Sequence, residues 1–291
     1  MTLMTATRRF LTQLEADGKS PLTISVYRRE LTRFARWLGA TTDVRRVRPD
    51  ALARYLTDPA LLVTPSGERR SARAMNRTRT VLRLLFGYLT LARTLRHDPS
   101  RLLKNARADR PLASPMTEVE ERRFVRTLDR GAKSAQGRRD RALFTLLLRS
   151  GMRLAAALAL DVEDLDLRTG TARSVGKHVH VQDVVLPRDV TRTLRRYLVE
   201  EEIREGALFR SSRGRLSSRQ AQYRFHALLA AAGIERPLTV HSLRHTFATR
   251  LRERTGDLRI VQAALGHRHL GTTEAYARAS SADVRQAVGD L

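Results

Sequence analysis

The residues best able to do chemistry occur in a fixed order in the second half of the chain. Arg153 comes first, His241 and Arg244 follow in a His-x-x-Arg arrangement, and His267 and Tyr276 lie further on. Arginine presents a permanently charged planar fork that binds anionic oxygens in pairs, and histidine exchanges a proton near neutral pH. A tyrosine oxygen becomes a nucleophile once a base removes its proton. Each residue taken singly is more typical of a surface or structural position, so it is the order of the whole set that indicates a function.

The net charge of the chain indicates an anionic partner. The 291 residues include 55 lysines and arginines and 30 aspartates and glutamates, which gives a formal net charge of +25. A charge of that size repels itself and is best balanced by a polyanion such as DNA, RNA or an anionic membrane surface. A merely solvated surface is the alternative, although such surfaces usually mix both signs.

Several classes of protein are excluded by what the sequence lacks. It contains no run of about 18 apolar residues, so no segment is expected to span a membrane. Residues 1–10 are polar and basic, unlike a secretory signal. The absence of cysteine excludes disulfides, thiol catalysis and cysteine-ligated zinc. These features predict a cytoplasmic protein, and its charge predicts association with the nucleoid.

The first third of the chain is predicted to be helical. Apolar residues recur at helical spacing over 21–38, 49–56 and 72–95, and no strand signal precedes residue 110. Residues 105–115 are charged, contain two prolines and lack periodicity, which is typical of a linker. We therefore expect a helical domain over 1–108 and a second domain over 109–291.

The second domain is predicted to be mainly helical with a small antiparallel β-sheet. Thr117 and Glu120 form a capping-box pattern, and residues 139–149 form an apolar helix. Residues 171–175 and 179–186 are predicted to be strands that flank a turn containing Lys177, and helices resume at Asp189. The expected fold class is mainly α, with an α+β second domain.

The order of these residues is similar to that of a known family. The stretch 238–277 contains His-Ser-Leu-Arg-His-Thr-Phe-Ala-Thr, Leu-Gly-His and Thr-Thr-Glu-Ala-Tyr, and it resembles the signature of the tyrosine recombinase (phage integrase) family, most of all its bacterial Xer branch. The first domain resembles the family's SAM-like core-binding module through residues spaced along one helix: Thr23, Tyr27, Leu31, Phe34 and Trp37. The likeness runs from about Arg8 to Val288.

The resemblance implies a site-specific recombinase that cleaves and rejoins double-stranded DNA without ATP, cofactor or metal. Tyr276 would attack the phosphodiester and form a 3′-phosphotyrosyl intermediate. Arg153, Arg244 and His267 would bind the non-bridging oxygens, which gain charge in the transition state. His241 would accept the tyrosine proton, because the phenol is mostly protonated at neutral pH.

Lys177 occupies the place where the family has a lysine that protonates the leaving 5′-oxygen. Arginine could hold charge there but could not readily give up a proton. His178 or His180 is the alternative proton donor. The lysine is informative because nearly all basic residues of the chain are arginine, and only four positions carry lysine: Lys19, Lys104, Lys133 and Lys177.

Three departures from the family pattern concern the surroundings of Arg153 and Lys177. Ala156 stands where an acidic residue usually supports the first arginine. The turn reads Gly-Lys-His instead of Gly-Lys-Gly. The returning strand is expected to be about one residue longer than usual, with Asp183 near a position that is often arginine. These departures put the geometry of the hairpin in question, but not the chemistry.

The resemblance also implies a homotetramer on two recombination sites, with or without a second recombinase as partner. The amphipathic tail, residues 280–291 with Val284 and Val288 on one face, is expected either to dock on a neighbouring subunit or to cap its own domain. Other interpretations are a type IB topoisomerase, a catalytically silent DNA-binding descendant, and a metal site built from histidines. That last set comprises His241, His245, His267 and His269.

Overall fold

The protein is described from a computed structural model, which covers residues 1–64, 67–107, 114–175, 181–265 and 286–288. The chain divides into two compact units, Met1–Arg110 and Pro111–Leu291. The mainly helical fold predicted from the sequence is confirmed. None of the helices in the described ranges is long and apolar enough to cross a membrane.

Within its described residues, the first unit is a bundle of five α-helices around one apolar core. Thr2, Ser20 and Ser71 cap α1, α2 and α5 by accepting a hydrogen bond from a first-turn amide. The largest core side chains include Phe34, Tyr55 and Phe86, which contact one another through tilted and edge-on ring pairs. The helices are α1 (Leu3–Ala16), α2 (Pro21–Leu38), α3 (Pro49–Thr57), α4 (Pro59–Leu62) and α5 (Ala72–Leu91).

Two features of this unit differ from the sequence-based expectation. Helix α1 was not predicted, although its buried residues recur at helical spacing. Helix α5 ends at Leu91 rather than at residue 95, because Arg93 adopts a left-handed backbone (φ 53°) and the amides of Thr94 and Leu95 fold back onto the Leu89 carbonyl. Leu95 is nevertheless buried, so the apolar periodicity continues past the end of the helix.

The second unit contains seven α-helices and two small antiparallel sheets within the described residues. The helices are α6 (Glu118–Gly131), α7 (Ala135–Ser150), α8 (Leu154–Ala159), α9 (Arg188–Glu200), α10 (Ser218–Ala231), α11 (Val240–Thr255) and α12 (Leu258–Leu265). One sheet has the order β1 (Leu165–Asp166), β2 (Thr171–Val175), β3 (Val181–Val185), and β4 (Arg210–Ser211) pairs with β5 (Gly214–Arg215).

The core of this unit forms where α6, α7 and α10 meet. Phe124, Phe144 and Phe225 are fully buried, with ring centroids 5.5–6.1 Å apart. The predicted capping box at the start of α6 is present, since Thr117 and Glu120 exchange side-chain-to-backbone hydrogen bonds. Helix α7 is mostly buried from Asp140 to Ser150, so its C-terminal residues are held in a fixed position.

The returning strand of the β2–β3 hairpin ends one residue before the predicted end at Leu186. Strand β3 begins at Val181 and ends at Val185, and Thr171 pairs with Val185 while Val175 pairs with Val181. Leu186 leaves the ladder because its amide bonds to the Gly170 carbonyl. Residues 176–180, where the sequence predicts a turn, lie outside the described residues.

Part of the C-terminal tail packs on its own unit. Val288 is 2% exposed and belongs to a small cluster with Phe247 and Leu251 of α11 and Val261 of α12. The sequence predicts that the tail either docks on a neighbouring subunit or caps its own domain. The contact of Val288 is the one expected of a cap. Val284 lies outside the described residues.

Candidate active site

Arg153 is positioned by the end of helix α7. The Ser150 hydroxyl donates to the Leu146 carbonyl at 2.6 Å and accepts from the Met152 amide at 3.3 Å. Gly151 takes a left-handed backbone (φ 65°) and ends the helix. Arg153 then caps α8 through its backbone and leaves its side chain exposed.

Gly151 is required by its surroundings as well as by its backbone. A Cβ atom added there would overlap the ring of Phe247 and lie 2.9 Å from Leu265 Cδ2. Phe247 is 2% exposed and cannot swing into solvent. The chain reversal before Arg153 therefore lies directly against α11 and the end of α12.

Helix α11 carries the His-x-x-Arg residues in its first two turns. The helix begins after Thr239, whose amide donates to Ser242 Oγ at 3.1 Å. His241 and His245 are one turn apart, and their rings meet edge to face with centroids 4.7 Å apart. Arg244 lies between them in sequence and is only 6% exposed.

Arg244 joins three parts of the site. Its guanidinium donates to the Gly151 carbonyl at 2.6 Å and to the Leu265 carbonyl at 2.8 Å. Burial, helped by the nearby Arg153 charge, lowers the pKa of Arg244 to about 10, so it stays protonated at neutral pH. One side chain of α11 thus fixes both the turn before Arg153 and the last residue of α12.

The site concentrates positive charge. The pKa of His241 is lowered by burial first, and then by the neighbouring His245, Arg244 and Arg153. The pKa of His245 is lowered by burial and by Arg244. Within the described ranges, neither Arg153 nor His241 forms an ion pair with a carboxylate. Such a cluster is suited to bind an oxyanion that supplies the missing negative charge.

The described residues therefore bring together three of the six predicted site residues: Arg153, His241 and Arg244. Lys177, His267 and Tyr276 lie outside the described residues, and their roles stay predictions. The described part of helix α12 runs to Leu265, two positions before His267, and strands β2 and β3 flank the segment that contains Lys177.

Two residues that depart from the family pattern, Ala156 and Asp183, lie in the described part of the chain. Ala156 lies on α8, is partly buried and packs on the core of the unit. Asp183 is exposed and lies directly opposite Arg173 in the β2–β3 ladder. Opposite charges at paired positions favour this register.

The interpretation as a histidine metal site gains no support among the described residues. No group of three or more potential ligands lies close enough there to hold a metal ion. Of the four histidines in that interpretation, His241 and His245 are described, whereas His267 and His269 are not.

Sequence reasoning missed one basic surface in the first unit. A cleft of about 850 Å³ is lined by cations from two separate segments, Arg45 and Arg48 before α3 and Arg93 and Arg96 after α5. Arg45 pairs with Asp43, while the other three arginines have no carboxylate partner in the described part of the chain. Only the fold brings these segments together, so no local pattern could have identified the cleft.

Comparison with known protein families gives the class of the protein. Residues 115–283 match the model of the phage integrase family, and residues 7–93 match that of the phage integrase N-terminal SAM-like domain. The chain is 35% identical over 288 residues to tyrosine recombinase XerC of Chromohalobacter salexigens, covering 94% of this chain and 90% of the relative. It is 31% identical to tyrosine recombinase XerD of Ralstonia nicotianae, covering 89% and 84% respectively.

Solved structures support the same fold. The XerH site-specific recombinase bound to palindromic difH substrate matches with a TM-score of 0.70 and 24% identity over 89% of this chain and 78% of that one. A lambda integrase (75–356) dimer bound to a COC′ core site matches with a TM-score of 0.72 and 18% identity over 95% and 100%.

The chain therefore belongs to the phage integrase family. Within that family it is a site-specific tyrosine recombinase, an enzyme of DNA strand cleavage and transfer.

Proposed function

We propose that the protein cleaves double-stranded DNA with Tyr276 and rejoins the strand to a different 5′ end. The observation that supports this proposal best is the convergence of Arg153, His241 and Arg244, with no carboxylate ion pair to Arg153 or His241 in the described residues. A scissile phosphate would supply that negative charge. Two guanidinium groups would then bind its non-bridging oxygens, where charge increases during attack.

In the proposed reaction, the Tyr276 oxygen forms a bond to phosphorus while the bond from phosphorus to the 5′-oxygen breaks. His241 accepts the phenolic proton, which its lowered pKa permits because the ring is neutral near pH 7. Lys177 donates a proton to the leaving 5′-oxygen. Attack by a new 5′-hydroxyl reverses these steps, and since the phosphotyrosyl bond keeps the energy of the broken ester, ATP is not needed.

The assembly belongs to the same proposal. Residues 1–108 form the core-binding domain and residues 109–291 the catalytic domain, and the two together bind duplex DNA. The protein acts as a homotetramer on two sites, with or without a second recombinase, and works at the nucleoid. Support for the DNA partner comes from the net charge of +25 and from related recombinases solved with DNA.

The nucleophile is tested by trapping the covalent intermediate. The wild-type protein is incubated with sheared genomic DNA from the organism that encodes it, and SDS-resistant adducts are collected and sequenced to define the substrate. Tyr276→Phe removes one oxygen, so the adduct should disappear while the dissociation constant for the same DNA changes by less than about threefold. An adduct formed by this variant would show that another residue attacks. No adduct from the wild-type protein would favour the silent DNA-binding interpretation.

The role of Lys177 is tested with a substrate that carries sulfur at the 5′-bridging position. A thiolate leaves without a proton, so Lys177→Ala should cleave ordinary DNA slowly and the sulfur substrate at close to the wild-type rate. Arg153→Ala is the matched control and should not be rescued, because its expected contacts are to the non-bridging oxygens. Rescue of both variants, or of neither, contradicts the assignment of Lys177.

A further inference from the structure

One residue beside the proposed base has no part in the proposed reaction. His245 lies one turn after His241 on α11, and its ring is half-buried against the His241 ring at a centroid distance of 4.7 Å and an angle of 90°. An edge-to-face contact restricts the rotation of both rings, since tilting one moves its edge into the other. The two rings therefore restrain each other through contacts of the protein's own side chains.

We propose that His245 is a positioning residue for recombination: its ring holds the His241 imidazole in a fixed orientation and keeps it in the neutral form that can accept the tyrosine proton. This inference rests on the proposed role of His241 as the base. His245 itself touches neither substrate nor the reacting atoms.

The electrostatic part of the inference follows from coupled titration. Two imidazoles at this distance cannot both gain a proton without like-charge repulsion, so a proton on one opposes a proton on the other. The ring of His245 also packs edge to face on that of His241, and burial disfavours the charged form of His241. Both effects act in the same direction, toward neutral His241.

Other groups add to the same bias, and none of those described opposes it. The charged groups that influence His241 are Arg153, Arg244 and His245, all of them cationic or able to become so. His241 is also in the first turn of α11, where the helix dipole disfavours positive charge. Burial is the largest cause of the lowered His241 pKa and the cationic neighbours add to it, His245 being the neighbour in ring contact with His241.

The direct test is a titration of His241 in the full-length, DNA-free protein by NMR with labelled histidine. The His241 signal is assigned from its loss in His241→Gln. His245→Ala removes both the charge and the covering ring, so the His241 midpoint should move to higher pH. His245→Phe keeps a ring without a titrating group, so its midpoint should lie between those of the wild type and the alanine variant.

The matched control is His226→Ala, since His226 is an exposed histidine of the same unit on α10. It should leave the His241 midpoint unchanged. If His245→Ala lowers the melting temperature of the protein, the inference is tested only by the His241 midpoint measured in His245→Phe. An unchanged or lower His241 midpoint in that variant, or in a stable alanine variant, overturns the inference.

A kinetic readout separates this inference from the proposed function. With the DNA captured by the wild-type protein, the rate of adduct formation at pH 6 divided by that at pH 8 should fall about threefold in His245→Ala, as expected when a base titrates at higher pH. A purely structural role would lower both rates by the same factor and contradict the inference. Absence of an adduct in the wild type would instead contradict the proposed function.

Discussion

Arg244 has a structural role shown by its backbone contacts, and we propose a chemical role for the same side chain. Its guanidinium bonds to two backbone carbonyls, Gly151 and Leu265, which lie far apart in sequence and flank the proposed phosphate site. A planar fork can reach two acceptors in different directions, whereas an ammonium group is a single point of charge. Arg153 differs, because it is exposed and has no such backbone contacts within the described residues.

Arg244→Lys should therefore reduce both stability and cleavage. Two hydrogen bonds to backbone carbonyls are disrupted, one buried and one partly buried, so the free energy of unfolding should fall by about 2 kcal/mol, and the rate of adduct formation should fall at least about 100-fold. Urea denaturation and single-turnover adduct formation measure the two quantities. Arg153→Lys is the control: it should slow adduct formation but leave the free energy of unfolding within about 0.5 kcal/mol. Equal loss of stability in both variants would show that the carbonyl contacts do not hold the site.

At this scale the sequence identifies residue types but not their partners. The order of Arg153, His241 and Arg244 predicts an anion site, and the structure brings these residues together. The hydrogen bonds from Arg244 to the Gly151 and Leu265 carbonyls could not be predicted. Every residue has a backbone carbonyl, and the sequence does not show which of them a side chain reaches. The contact of His245 with His241 was visible only as a spacing of one helical turn, which metal ligands and structural pairs share.

Helix α6 is fixed at its N-terminus by a pair of interactions that share one residue. Glu120 completes the capping box with Thr117 and also accepts a hydrogen bond from Arg236, just before α11. That bond lowers the pKa of Glu120 to about 2. Arg236 also bonds to the Pro115 carbonyl at 3.0 Å, so the start of α6 and the segment entering α11 are held together.

Glu120→Gln tests this ion pair, since glutamine can still complete the capping box. Because the pKa of the folded carboxylate is depressed, its contribution is complete above the unfolded pKa and is lost as the pH falls toward 2. Arg236 is 40% exposed, so solvent screening limits the loss to about 0.5 kcal/mol at pH 7. The difference from the wild type in urea denaturation should shrink between about pH 5 and pH 3.

The control for that variant is Glu118→Gln, because Glu118 is 71% exposed and its ion pairs are longer, at 3.7 and 3.9 Å. It should change the free energy of unfolding less, with little dependence on pH. A pH-independent loss in Glu120→Gln would mean that packing, and not charge, accounts for the effect.

Elements were predicted best where local signals agree. Prolines at their first positions and regular apolar spacing identify α2 and α3, and the capping box identifies α6. The apolar spacing predicts helix α5 as far as residue 95 because Leu95 is apolar and buried, although the chain has already turned at Arg93. An arginine in a left-handed conformation gives no sequence signal, since glycine is the residue usually associated with it.

Positive charge is distributed over both units of the molecule. The cleft lined by Arg48, Arg93 and Arg96 belongs to the first unit, and the cluster of Arg153 and Arg244 to the second. With a net charge of +25, most binding energy for DNA should come from released counterions. Affinity for a labelled duplex should fall by orders of magnitude between about 50 and 200 mM salt.

The cleft should contribute a measurable part of that salt dependence. Replacing both Arg93 and Arg96 with alanine should reduce the slope of log affinity against log salt by about 1.8, or about 0.9 for each phosphate that is no longer neutralised. The matched control replaces Arg122 and Arg196, which are exposed but paired with Glu118 and Glu200. Fluorescence anisotropy measures both. Equal slopes for the two double variants would exclude the cleft from DNA binding, and a flat response of the wild type would contradict the DNA-binding proposal as a whole.

The tight packing around Gly151 limits which substitutions this sequence can accept. A smaller residue at position 247 would remove the overlap with the Phe247 ring but not the 2.9 Å approach to Leu265 Cδ2, and the left-handed backbone at 151 would still cost a non-glycine residue about 1–2 kcal/mol. The two obstacles have different origins, one in side-chain volume and one in backbone conformation, so no single compensating substitution removes both. Libraries randomised at position 151 should return glycine from every genetic background, while position 247 accepts several apolar residues. In directed evolution, Gly151 should therefore stay unchanged while other residues of the site vary.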